Sequence, residues 1–195
     1  MNKRKNLYNG ALVLIIFFCL VLLIFQNSYF ISGKVTEFFT PSNVSVTNYL
    51  AIAFSENLSE GILFGNVSVF PAININASHN YDGNNSATTL FINVSEDGNT
   101  AVDFCIKGNA NLTSLVEDIL GLGNETYSNS TYNNLSDPDS INEVALTNMY
   151  VKSGNAIAIG GTNYYRFWLD VPASQPSGDY NNTLSFKGVQ TTVVC

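Results

Sequence analysis

The chain has 195 residues, of which 46% are hydrophobic, 12% aromatic and only 12% charged, where about a quarter charged is usual. Fifteen acids, eight bases and one histidine give a net charge of −7. The cations are too few to neutralise a phosphate backbone and the histidine is alone, which sets aside nucleic-acid binding and His-dependent metal or hydrolase chemistry.

Lys3, Arg4 and Lys5 precede an apolar run from Ala11 to Phe25, which contains Cys19. This run is long for a signal-peptide core and shorter than the roughly 20 residues of a spanning helix. Counted from Leu7 to Ile31, with Tyr29 and Phe30 at its flank, the segment reaches spanning length. Three readings stay open. They are a signal peptide cut near Ser32 or Gly33, an uncleaved anchor holding the membrane through residues 7–31, and a pilin-type leader cut after Gly10. All three keep the bases in the cytoplasm and export the rest. Residues 1–33 hold three bases and no acid, whereas residues 34–195 hold five bases and fifteen acids. The exported part is therefore acidic and has little attraction for anionic lipid or polynucleotide.

Strand patterns follow in chain order. They are "KVTEFFT" (34–40), "VSVTNYLAIAFS" (44–55), "GILFGNVSVF" (61–70), "ATTLFINVS" (87–95), "TAVDFCIKG" (100–108), "VALTNMYVKS" (144–153), "NYYRFWLDV" (163–171) and "NNTLSFKGVQTTVV" (181–194). In the fifth, Val102, Phe104 and Ile106 face one way and Asp103, Cys105 and Lys107 the other. In the seventh, Tyr165, Phe167, Leu169 and Val171 alternate with Tyr164, Arg166, Trp168 and Asp170. Turn chemistry separates the runs at 82–85, 96–99, 137–140, 160–161 and 175–179. Ser114 and Glu117 have capping-box spacing before Ile119 and Leu120, which predicts one short helix ended by Gly121 and Gly123. The Asn/Ser-rich stretch 123–143 reads as a loop. The expected fold is all-β, an Ig-like antiparallel β-sandwich of about eight strands preceded by an N-terminal hydrophobic signal or anchor helix. Its parts are residues 1–33 (signal peptide or anchor), 34–46 (N-terminal extension) and 47–195 (sandwich domain).

Asn-x-Ser/Thr sequons begin at Asn43, Asn57, Asn66, Asn76, Asn84, Asn93, Asn111, Asn124, Asn129, Asn134 and Asn181. Eleven is more than twice the roughly five that this composition yields by chance, and all follow the apolar segment, where export would expose them to N-glycosylation. The chain holds 27 Asn, 19 Ser and 14 Thr, so its surface is hydrated by neutral groups to which glycans add bulk. Cys105 and Cys195 are the two cysteines of the exported part, and an oxidising compartment favours a disulfide between them. Closing that loop is worth about 3–4 kcal/mol by chain entropy. An intermolecular bond is the alternative.

"YYRFWLDVPASQPSGDYNNTLSFKGV" (164–189) resembles a recurrent archaeal cell-surface module, in which an aromatic strand ends in a Trp-Leu-Asp-Val-Pro phrase. There a Gln-Pro-x-Gly-x-Tyr turn and a final strand follow. Trp168, Pro172, Gln175, Pro176, Gly178 and Tyr180 carry the match. "VDFCIKG" (102–108) with a terminal cysteine is similar to small surface proteins of archaea. The plan of leader, extension and Asn-rich sandwich resembles subunits of archaeal thread filaments and TasA-like biofilm fibres. The resemblance implies donor-strand complementation, in which the N-terminal extension of one copy fills a groove in the next. "KVTEFFTPSNVSV" (34–46) is the donor it implies, with Val35, Phe38 and Phe39 as plugs.

No catalytic constellation is recognised. His79 lies in a loop and no nucleophile elbow is present. Asp103 and Asp170 read as outward strand positions. Asp137, Asp139 and Glu143, or Glu96 and Asp97, lack calcium-loop spacing. Trp168 reads as a packing residue. No cofactor or metal is expected. The sequence thus reads as a non-enzymatic extracellular structural protein, a glycosylated subunit of a cell-surface filament that polymerises with itself. The alternative is a membrane-anchored adhesion or binding module recognising sugar or a partner cell.

Overall fold

The computed structural model describes residues 14–21, 43–45, 47–80 and 87–195. The chain divides into two units, Met1–Ser45 and Val46–Cys195. In the first, residues 14–21 are helical, with Cys19 exposed, and residues 43–45 have no regular structure.

The second unit is mostly β. Its strands are β1 (Ile52–Phe54), β2 (Ala72–Asn76), β3 (Phe91–Val94), β4 (Val102–Gly108), β5 (Leu112–Thr113) and β6 (Ile119–Leu120). After these come β7 (Glu125–Ser130), β8 (Val144–Ala145), β9 (Val151–Ile157), β10 (Thr162–Val171) and β11 (Leu184–Gln190). A short helix α1 (Glu56–Glu60) and a 3-10 turn (Leu122–Asn124) complete it. Six strands form one sheet in the order β1-β3-β10-β7-β8, with β2 also on β10. Three form a second, β11-β4-β9, and β5 with β6 a third. Every strand pairing is antiparallel.

The two larger sheets share one core. Leu90, Ile92, Val94, Tyr127, Tyr165 and Phe167 from the first meet Val102, Phe104, Ile106 and Ile157 from the second. Period-two alternation on β4 and β10 supplies these inward rows. Tyr165 stacks on Phe167 at 6.1 Å and meets Phe186 edge-on at 5.4 Å. Gly188, opposite Phe104 on β11, leaves the space a Cβ would need, since one built there lies 2.9 Å from Val102 and 3.1 Å from Ile52. A smaller cluster of Leu112, Leu120, Leu169 and Val171 roots the β5–β6 hairpin.

The expected Ig-like β-sandwich of about eight strands behind an N-terminal signal or anchor helix is corrected. Among its described residues, the second unit has three sheets and eleven strands with two short helices. Among the described residues, no helix is long and apolar enough to cross a membrane. Three differences have a local physical cause. The 123–143 stretch contains β7, which lies between β10 and β8. Its strand state comes from backbone pairing on both sides, not from an apolar pattern. The expected helix after Ser114 is the tip of the β5–β6 hairpin. The Ser114 hydroxyl accepts from Val116 N and Asp118 N there, so the capping residue serves a turn. Residues 61–70 form no strand, and β2 follows them instead. The strand expected over 34–40 lies outside the described residues.

One edge of β10 is shared by β3, opposite Thr162–Tyr164, and β2, opposite Trp168–Val171. In the break between them, Ala77 N donates to Phe167 O and Tyr165 N to Leu90 O, and side chains supply the remaining partners. Phe167 N donates to Asn80 Oδ1 at 2.8 Å, and Asn80 Nδ2 donates to Phe167 O at 2.8 Å. Thr88 Oγ1 donates to Tyr165 O at 3.0 Å. The fully buried Asn80 amide therefore does the work of a missing strand residue. Asn80→Ala is expected to cost about 2 kcal/mol, because Phe167 N is left buried without an acceptor. Urea titration checks this, and an unchanged midpoint would show that the amide is dispensable.

Candidate functional site

Cys195 is locked onto the second sheet. Cys105 sits in the middle of β4, on the face opposite the core row, and is fully buried. After β11 the backbone turns, with Val193 N donating to Gln190 O, and brings Cys195 back to Cys105. The two form a disulfide with Cα atoms 5.8 Å apart and a sequence separation of 90. Of the two pairings left open by the sequence, the internal one is present.

Asp103 lies beside it on β4. It was expected at an outward position, but its side chain is covered. Lys152 Nζ pairs with Asp103, and Ala156 N donates to Asp103 Oδ1 at 2.7 Å. Desolvation raises the carboxyl's pKa, but the two hydrogen bonds and the Lys152 charge outweigh it and hold it below the ordinary value. Ala156 has φ 49°, so the carboxylate also secures a left-handed residue where the β4–β9 register shifts.

The sequon asparagines fall into two sets. Asn43, Asn66, Asn76, Asn111, Asn134 and Asn181 are exposed, while Asn57, Asn93, Asn124 and Asn129 are half-buried. The amide nitrogen, to which a glycan attaches, is engaged in four of them. Asn57 Nδ2 donates to Thr89 Oγ1 at 2.6 Å, Asn124 Nδ2 to Gly121 O at 3.1 Å and Asn129 Nδ2 to Asn163 Oδ1 at 3.2 Å. Asn134 Nδ2 faces Asp137 at 3.5 Å, and its Oδ1 accepts from Ser136 and Asp137. Among the described residues, the Asn111 side chain uses only Oδ1, to accept from Leu122 N. Asn84 and the proposed plugs Val35, Phe38 and Phe39 lie outside the described residues.

On the far face of β10, Arg166 is almost fully buried. Its guanidinium donates to Asn134 O at 2.6 Å, Pro138 O at 2.7 Å, Leu135 O at 3.2 Å and Asn80 O at 3.2 Å. One side chain thus clamps the 134–138 segment onto the sheet. Above it opens a cavity of about 410 Å³, whose lining includes Asn74, Asn76, Ser136, Asp139 and Trp168. A second cavity of about 710 Å³ lies beside the β5–β6 hairpin, between Phe64, Val67, Leu169 and Tyr180. Neither sets a histidine beside a hydroxyl. His79 is half-buried in its loop. Among the described residues, no three His, Cys, Asp or Glu side chains converge as a metal site. Asp137, Asp139 and Glu143 instead accept from Asn134, Asn142 and Thr126.

Sequence reasoning missed Glu125. It opens β7, is nearly fully buried, and accepts from Asn182 Nδ2 at 2.9 Å. Burial pushes its carboxyl up to about 7, with the Asn182 bond opposing. The polar run around it carries no signal of burial. Sequence reasoning also missed Arg166 and the grouping of Lys107, Lys187 and Tyr150. Alternation placed Lys107 on the outward face of its strand, and strand register brings it together with Lys187 at the Tyr150 ring.

Compared with known proteins, the chain matches no family model and no curated protein sequence.

Proposed function

We propose that this chain is a non-enzymatic extracellular structural protein, a glycosylated subunit of a cell-surface filament that polymerises with itself by donor-strand complementation. The single observation that carries this reading is the internal disulfide, which ties Cys195 to a buried strand. Such a bond suits an oxidising exterior. The excess of sequons supports the glycan part, since Asn66, Asn76, Asn111 and Asn181 are exposed and their amide nitrogens make no hydrogen bond among the described residues. The donor part rests on the resemblance and on Val35, Phe38 and Phe39 as plugs.

The test is recovery of the full chain from its native source, followed by glycopeptide mass spectrometry and negative-stain imaging. Filaments with hexose-bearing peptides at these asparagines are the expected result. A monomer at every concentration, with bare peptides throughout, would overturn the reading. The polar cavity over Trp168 favours a second reading, a sugar-binding adhesion module. Glycan-array binding by a strictly monomeric protein would support that reading instead.

A further inference from the structure

The outer face of the second sheet gathers the cations of an acidic unit. Residues 46–195 contain fourteen acids and four bases, Lys107, Lys152, Arg166 and Lys187. Arg166 is buried under the 134–138 segment, and Lys152 is paired with Asp103. Lys187 stands opposite Cys105 across the β4–β11 ladder, and Lys107 lies two residues further along β4, on the same face. Their ammonium groups lie 4.3 and 4.7 Å from the centroid of the Tyr150 ring. Lys187 also donates to Cys195 O at 2.7 Å. Neither lysine pairs with an Asp or Glu side chain among the described residues. Met149 and Val151 flank Tyr150 in the chain, and Val193 and Val194 precede Cys195; all four are exposed. The face is therefore positive and apolar, on a unit that is otherwise negative.

The β5–β6 hairpin presents the complementary chemistry. Leu115 is 91% exposed and Val116 74% exposed, and Glu117 and Asp118 follow directly. The tip is held in one shape. Ser114 Oγ accepts from Val116 N and Asp118 N, Ser114 N donates to Asp118 O, and Leu112 and Leu120 anchor the base in an apolar cluster. The side chains of Glu117 and Asp118 take no hydrogen bond or ion pair among the described residues. Those of Asp137, Asp139 and Glu143 are already engaged.

We infer that the hairpin tip of one copy docks on the Lys107–Tyr150–Lys187 face of a second copy, with Leu115 and Val116 covering the exposed valines and Glu117 and Asp118 neutralising the two lysines. This inference rests on the self-assembly reading above and names one of its contacts. Knob and face are different surfaces of the same chain, so the contact is heterologous and can propagate head to tail. Two carboxylates against two ammoniums set its register and steer the encounter, while the aliphatic side chains supply the non-directional part.

The test uses charge reversal in the full chain, read by sedimentation velocity and negative-stain imaging. Lys107→Glu with Lys187→Glu, and separately Glu117→Lys with Asp118→Lys, are each expected to weaken self-association at least about tenfold at low salt. Mixing the two variants is expected to restore assembly, because reversed tip then meets reversed face. Raising salt to about 0.5 M is expected to weaken assembly of the unmodified protein. Circular dichroism checks that each variant is folded, and Lys107→Gln with Lys187→Gln replaces a reversal that is not. If both variants assemble like the unmodified chain, or their mixture stays apart, the contact is overturned while self-assembly stands. If the unmodified chain never associates, self-assembly itself fails and the contact with it.

Discussion

Cys195→Ser in the full chain is expected to lower the free energy of unfolding by about 4 kcal/mol. The disulfide closes a loop of 90 residues, so the denatured chain is strongly restricted while it is intact. The native state loses as well. Residues 191–195 no longer cover Cys105, which is fully buried now, and the acceptor at Cys195 O leaves Lys187. The double variant Cys105→Ala/Cys195→Ser is expected to match the single variant closely, since the restraint is lost only once. Guanidinium titration of oxidised protein, dithiothreitol-treated protein and both variants measures this. A loss below about 1 kcal/mol in every case would show that the bond merely decorates a tail held by other contacts.

Stability is expected to fall by about 3 kcal/mol as pH rises from 4.5 through 7, and Glu125 is the cause. Its carboxyl has an ordinary value of 4.5 and a folded value of about 7, chiefly because burial disfavours the ionised form. A folded value above the unfolded one means that the unfolded state gives up its proton first. The contribution is complete below about 4.5 and is lost as pH rises through about 7. Asp103 acts in the opposite direction. Its folded value lies below 3.8, so its contribution is complete above that value and is lost as pH falls through the folded one. Maximum stability therefore lies between the two windows, on the acid side of neutrality. Glu125→Gln keeps an acceptor for Asn182 Nδ2 without a titrating proton, and it is expected to flatten the curve above 4.5. Denaturation midpoints at half-unit pH steps supply the measurement. An equal slope in Glu125→Gln would remove Glu125 as the cause.

The strands that were legible in the sequence are those whose side chains alternate against a core. β4 covers the "VDFCIKG" run, β10 covers all of "NYYRFWLDV", and β11 falls within the last expected strand. The β-rich character and the Cys105–Cys195 pairing were legible for the same reason. Period two and a short list of cysteines leave few arrangements. β7 was not legible. "ETYSNS" has one large apolar residue, and its strand state depends on β10 and β8 being alongside. Ser114 shows the limit of local chemistry, because a side chain that caps a helix closes a hairpin turn equally well. Arg166 shows the limit of polarity as a guide. An always-charged side chain lies inside because four carbonyl oxygens from distant segments converge on it.

By itself, the sequence determined a β-rich, acidic, asparagine-laden chain with its two downstream cysteines available to one another. Local pattern and composition suffice for those properties, because each residue's preference for strand, turn or water acts over a few neighbours. Tertiary structure alone decided which polar residues are buried, which asparagines keep a free amide nitrogen, and that two lysines share one tyrosine ring. These depend on register and on contacts between residues tens of positions apart, and such contacts leave no periodic trace along the chain.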